Sequence, residues 1–416
     1  MAEPEDIQLV PLADDTPTLD DINWDDEKHV LNDFRADIGL PQVVKFDEGE
    51  TGGNIPPGLK IYCNQPVLFH THTSKRQARA RTIYRDQTGP FYEVGQTLLI
   101  PEDFEGWFEL VPPDFSRASC CRTIRELAEV MPAKFFTRTN LRGIRITDEN
   151  GSQEIFERKI RAGSVLRVDS IFTAKWRTTA KTGMFKKSNK EFTTVEEQYL
   201  KCIDIDNKEV LISLSTKGKF NIVYAKGVND GRTVFRIKDL IDDFTLPMKV
   251  KLIYGKPPVV PCIFTGILIL KGHKSEDSIV ASTILNQRNV LFEVPMDASC
   301  SVYTTADDFS KMETYSDALK LCDRFARSYS AMIKLSADLD TGNQMIQHIP
   351  TEKMKRPNAS LKTLDLITNI SYTDDEPQDQ FMDSDAESLR SYGEQAPLQK
   401  GQLVELQKSD RDSVFC

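Results

Sequence analysis

Hydrophobic positions recur along the chain in short β-branched or aromatic runs separated by turn residues, a rhythm that predicts strands. The clearest runs are 59–63, 66–70, 81–85, 97–100, 107–111, 165–172, 198–205, 210–214, 220–225, 249–253, 263–270, 279–285 and 289–294. Apolar and polar residues alternate well in 220–224 and 249–253, so those strands are expected to be half buried. Asn150-Gly151 and Asn229-Asp230-Gly231 read as hairpin turns.

One pattern occurs three times: a short helical run, an apolar residue, a proline, then a strand. It runs from Leu31 to Leu40-Pro41 and on into Val43-Val44. It returns as Ile124 to Met131-Pro132 before Phe135-Phe136, and as Ile237 to Leu246-Pro247 before Val250. Proline pushes the residue before it toward extended geometry, so each helix stops and a strand begins. The repetition predicts a core of related β units. A last helix is predicted over 314–333, where Tyr315, Leu319, Cys322, Phe325, Ala326, Tyr329, Met332 and Ile333 share one face. That face is expected to seal the core.

Charge sharpens the boundaries. Of the 416 residues, the first 27 hold ten acids and no lysine or arginine, and residues 371–416 hold eleven acids against four bases. The net charge of −10 thus divides into two acidic ends around a middle of formal charge +7. With few large apolar residues to offset ordering entropy, 1–27 and most of 337–416 are expected to be disordered tails around an all-β domain at 28–336. No basic, apolar leader opens the sequence and no apolar run approaches the ~20 residues that cross a bilayer. Eight irregularly spaced cysteines without a CxxC suit a reduced, cytoplasmic protein.

Chemistry is sparse. The sequence contains no phosphate-binding glycine motif, nucleophile elbow or kinase signature. His70 and His72 lie on one face of a predicted strand, but no third ligand follows at metal spacing. No metal, cofactor or small-molecule substrate is expected, and the chain does not read as an enzyme. Two basic segments remain: Lys75, Arg76, Arg79, Arg81 and Arg85, and Lys181, Lys186, Lys187 and Lys190 in a loop. Solvation and contact with the acidic tails explain them. The alternative is a phosphate-binding module for phosphoinositide or RNA, although nucleic acid is not expected without a groove-reading motif.

The residues resemble the CABIT family, the cysteine-containing all-β module of the Themis and Garem signalling adaptors. The resemblance rests on 40–46 (LPQVVKF), 106–110 (GWFEL), 131–136 (MPAKFF), 162–166 (AGSVL), 199–202 (YLKC), 211–214, 218–220 (GKF), 246–250 (LPMKV) and 264–266 (FTG). It spans about residues 30–335, one module, and implies a mainly β fold of barrel-like units with a few short helices. It implies an adaptor without catalytic activity, acting between receptor tyrosine kinases and the mitogen-activated kinase cascade. Its partners would be phosphotyrosine-reading adaptors, kinases or phosphatases. Cys202 matches the family's core cysteine and is expected to be buried and structural. The sequence departs from the family in having one module and no long proline-rich region. Its one PxxP, Pro258 to Pro261, sits beside a predicted core strand.

The acidic C-terminal segment offers Tyr372, Tyr392 and Ser384, the last followed by Asp385 and Glu387, as candidate phosphorylation sites. Neither tyrosine has Asn two residues later. Tyr62-Cys63-Asn64 has that spacing but falls in a predicted strand.

Overall fold

The computed structural model describes residues 22–36, 38–47, 65–85, 91–112, 119–149, 152–179, 192–227, 230–284, 289–298, 300–310, 312–336, 346–348 and 402–408. The protein is mainly β. Its strands join in one large open sheet, with three short helices and one long one laid against it.

The threefold helix–proline–strand pattern is the plan of the molecule. Helix Asp33–Ala36 precedes the cis Leu40–Pro41 bond and strand Gln42–Phe46. Helix Ile124–Val130 precedes Pro132 and strand Lys134–Thr137. Helix Ile237–Asp243 precedes the cis Leu246–Pro247 bond and strand Met248–Tyr254. The middle helix shows why the segment stops where it does. The Thr123 hydroxyl accepts from the Glu126 backbone N–H at 3.2 Å, and the Glu126 carboxylate accepts from the Arg122 N–H at 2.9 Å. At the far end Met131 turns left-handed (φ 48°) and its N–H returns to the Leu127 carbonyl.

Each proline-led strand then lies antiparallel on the first residues of a long strand. Gln42–Phe46 opens on Val67–Arg85, Lys134–Thr137 on Val165–Thr179, and Met248–Tyr254 on Ile267–Thr283. Each unit also has its own core. Leu31 and Phe34 pack with Val44, Phe46, Phe69 and Val302. Ile124, Leu127 and Ala128 pack with Phe135, Leu200, Cys202 and Phe220. Ile237, Leu240 and Ile241 pack with Phe108, Val250, Leu268 and Leu270.

Two pairs of predicted strands prove continuous. Runs 66–70 and 81–85 mark the ends of the single strand Val67–Arg85, and 267–270 and 279–283 the ends of Ile267–Thr283, while 263–266 form a loop that leads into it. The polar middles read as breaks because they lack apolar residues. They persist as strand because they pair with each other, from Val67 opposite Thr283 to Thr82 opposite Leu268, with Glu276 opposite Lys75. Backbone ladder bonds need no apolar side chains.

Strands Leu141–Glu149 and Ser152–Ile160 pair antiparallel, with Glu149 opposite Ser152, while Asn150-Gly151 between them lies outside the described residues. The second expected hairpin, at 229–231, is not one. Strands Lys217–Val223 and Thr233–Phe235 run parallel, with Ile222 opposite Thr233. Asp230 fixes the turn before the second strand: its carboxylate accepts from the Arg232 backbone N–H at 2.8 Å and from the Arg232 guanidinium. The turned chain feeds Thr233–Phe235 between Lys217–Val223 and Trp107–Leu110.

The ends also extend past their expected limits. Ile22 is buried, and strand Trp24–Val30 pairs with Ser301–Thr305. Beyond residue 336, Ile346–His348 pairs with Phe91–Pro101 and Gln402–Lys408 with Val165–Thr179. The last helix, Glu313–Ser330, buries Ala318, Cys322, Ala326 and Ser330 at four-residue spacing and leaves Phe325 outward. Among the described residues no helix is long and apolar enough to cross a membrane.

Candidate docking surface

After Met248–Tyr254 the chain leaves the sheet and does not rejoin it until Ile267. Gly255 makes the exit with φ 134°, and a Cβ there would lie 2.9 Å from the Gly106 Cα, so only glycine fits. The loop continues as Lys256-Pro257-Pro258-Val259-Val260-Pro261. Its return is pinned. Thr82 Oγ1 donates to the Ile263 carbonyl at 2.9 Å, and Thr265 Oγ1 donates to the Ile83 carbonyl at 2.7 Å. Cys262 and Phe264 rest against the third unit's core. The tip stays out: Val259 is 73 % exposed and Val260 55 %. Three prolines fix φ and withdraw their N–H donors, which restricts the segment before anything binds it. Two exposed valines between such prolines suit an aromatic-lined groove of the kind that reads extended proline segments. Its position beside a core strand gives no local sign that this PxxP is presented outward. Anchoring at both ends, which presents the tip, depends on partners far away in sequence.

The five cations of 75–85 do not form a patch. Lys75 is buried, with its Nζ 2.7 Å from Glu293 Oε1 and donating to the Ser330 carbonyl at 3.0 Å. Arg76 lies 2.7 Å from both Glu102 and Asp242, and its hydrogen bond holds the Asp242 carboxyl below the usual carboxylate range. Arg81 is buried, donates to the Gly95 carbonyl at 2.7 Å and stands 4.0 Å from Glu93. Arg79 is exposed, and Arg85 lies over the Phe91 ring at 4.9 Å. Lys75, Arg76 and Arg81 are each drawn to acids that other elements supply, Glu293, Glu102 with Asp242, and Glu93 respectively. Lys181, Lys186, Lys187 and Lys190 lie outside the described residues.

Cys202 is fully buried in the middle core, its thiol 3.8 Å from the Leu200 carbonyl. Burial, reinforced by Asp169, pushes its pKa well above the ordinary thiol value. His70 is engaged by Asp323 of the last helix at 3.0 Å and by Thr71 at 2.8 Å. Among the described residues no group of three histidines, cysteines or acids gathers where a metal could bind. Tyr372, Tyr392, Ser384 and Tyr62 lie outside the described residues.

Three helix–proline–strand units joined in one sheet, with an apolar loop held outward, define a mainly β module of internally repeated design. The sequence pattern of one family, described as CABIT (cell-cycle sustaining, positive selection), matches residues 40–314. The chain belongs to the CABIT family. The match begins at Leu40, just before the first of the three prolines, and ends in the first turn of the last helix. No curated protein and no solved structure matches the chain.

Proposed function

We propose that this protein is a non-catalytic, single-module signalling adaptor of the Themis and Garem kind, working by protein–protein contact between receptor tyrosine kinases and the mitogen-activated kinase cascade. Membership of the CABIT family supports the class. The observation that carries the docking role is the 257–261 loop, anchored at both ends with Val259 and Val260 outward. Phosphotyrosine-reading adaptors, kinases or phosphatases are the partners, with Tyr372, Tyr392 and Ser384 as the modified positions. Ion pairing of Lys75, Arg76 and Arg81 within the sheet weighs against phosphate binding as the main role of that segment.

The test uses the full chain in receptor-stimulated cells. Val259→Asp with Val260→Asp is expected to abolish recovery of partners that carry proline-reading domains. Tyr372→Phe with Tyr392→Phe is expected to remove the phosphatase-sensitive partners. A partner set unchanged by both pairs of substitutions would overturn the adaptor reading.

A further inference from the structure

The middle long strand fills one flank differently from its two counterparts. Val67–Arg85 carries Gln42–Phe46 at the start of one flank and the next strand of the chain, Phe91–Pro101, beyond it. Ile267–Thr283 carries Met248–Tyr254 and then Leu291–Pro295 in the same way. Their opposite flanks are joined to each other along nearly their whole length. In the middle unit Lys134–Thr137 takes the expected place at the start of Val165–Thr179. The next strand, Phe192–Ile203, then returns on the opposite flank. Phe172–Arg177 is left without the neighbour that the other units draw from the adjoining chain.

The strand that fills this position comes from far along the sequence. Gln402–Lys408 lies antiparallel there, with Lys408 opposite Phe172, Leu406 opposite Ala174, Glu405 opposite Lys175 and Leu403 opposite Trp176. A one-residue bulge separates the last two pairs. Ala174 and Trp176 are buried, so the two leucines fall in register with the apolar positions of the acceptor strand, and the acid with its lysine. The segment reaches the flank across residues 349–401 rather than through a hairpin. A bare sheet edge is a template for any extended chain, because its N–H and C=O groups need partners.

We propose that the Phe172–Arg177 flank is a strand-acceptor site: Gln402–Lys408 occupies it in the resting protein, and an extended segment of a partner protein, with two leucine-sized residues bracketing an acid, takes its place. The ladder supplies affinity, and the registered leucines and acid supply selectivity. The site belongs to the middle unit and does not depend on the proline loop of the third.

The test uses full-length protein and a fluorescein-labelled peptide of residues 401–410. In the chain, Leu406→Pro removes a ladder donor and frees the flank. This variant is expected to bind the peptide saturably, and the wild type at least tenfold more weakly because its own strand competes. No saturable binding to the folded variant, or equal binding to both proteins, would overturn the proposal. Should circular dichroism show Leu406→Pro unfolded, full-length Glu405→Lys serves instead with the same expectations. Adding Lys175→Glu to Leu406→Pro should weaken binding at least fivefold, and a Glu405→Lys peptide should restore it; no change would overturn the register. Wild type that sediments as a dimer, and becomes monomeric with Leu406→Pro, would make a second copy the occupant and overturn the resting assignment.

Discussion

The Lys334 ammonium stands 2.5 Å from Oε1 of Glu293, tying the segment after the last helix to strand Leu291–Pro295. The same oxygen is 2.7 Å from Lys75 Nζ and accepts from the Ser330 hydroxyl at 2.9 Å. One carboxylate therefore joins the first long strand, the helix end and the chain beyond it. Burial works against the Glu293 charge, but Lys334 and Lys75 together hold its pKa below the ordinary value.

Lys334 makes stability depend on alkaline pH. Burial pulls its pKa down to about 8, against the partial opposition of Glu293. Between that value and the usual lysine value the unfolded chain holds a proton that the folded chain has released. Stability from this group therefore rises with pH across the window. In urea denaturation at pH 7.5 and 10, wild type should gain on Lys334→Met as pH rises. A constant difference would show that Lys334 does not titrate there.

Removing the shared carboxylate should be severe. Glu293→Gln leaves Lys75 buried without its counter-charge, and breaking a buried pair from one side costs roughly 3–5 kcal/mol. Urea denaturation at pH 7 measures the loss. Hydrogen exchange should locate it first in Glu313–Ser330, whose terminal Ser330 contacts both Lys75 and Glu293.

Gly163 of the second unit packs against Tyr254 of the third. Gly163 has φ 94°, and a Cβ there would lie 2.2 Å from the Tyr254 ring. That ring packs edge-on against Phe136, 5.6 Å between centroids. Gly163→Ala should cost about 2 kcal/mol or more through strain and overlap together. Adding Tyr254→Ala should recover the overlap but not the backbone strain, so a double-mutant cycle should show clear coupling. Strict additivity would count against the contact.

Cys202 should resist alkylation in the native state. Its burial and raised pKa both suppress the thiolate. Timed iodoacetamide labelling read by mass spectrometry should modify the half-buried Cys120 and Cys262 first, and Cys202 only on unfolding. Cys202→Asp should abolish folding, whereas Cys202→Ala should be tolerated with reduced stability.

The three proline-led strands were legible because each carries its signal locally, a helical period closed by proline. Cys202 was legible because it lies in the predicted strand 198–205 and free cysteine is among the most buried residue types. The long strands were not, since His70 to Gln77 is polar and persists as strand only through pairing with 272–278. The ion pairs of Lys75, Arg76 and Arg81 were hidden for a similar reason, since Glu293, Asp242 and Glu93 reach them from other elements. The strand Gln402–Lys408 was not legible: it falls in an acidic segment expected to be disordered, and nothing nearby in sequence marks the flank that receives it.

The ladder between Val67–Arg85 and Ile267–Thr283 sets an order of assembly. It joins residues roughly two hundred positions apart, whereas the pairings of the middle unit from Cys121 to Val223, those with Thr233–Phe235 and the C-terminal strand aside, close within that stretch. Long closures are slow, and a growing chain cannot make them until both strands have emerged. During synthesis the middle unit can gather its own core first. The N-terminal strands must wait, with Val67 to Arg85 unmatched along one side, until residue 283 has left the ribosome. That interval is when the nascent chain most needs a chaperone.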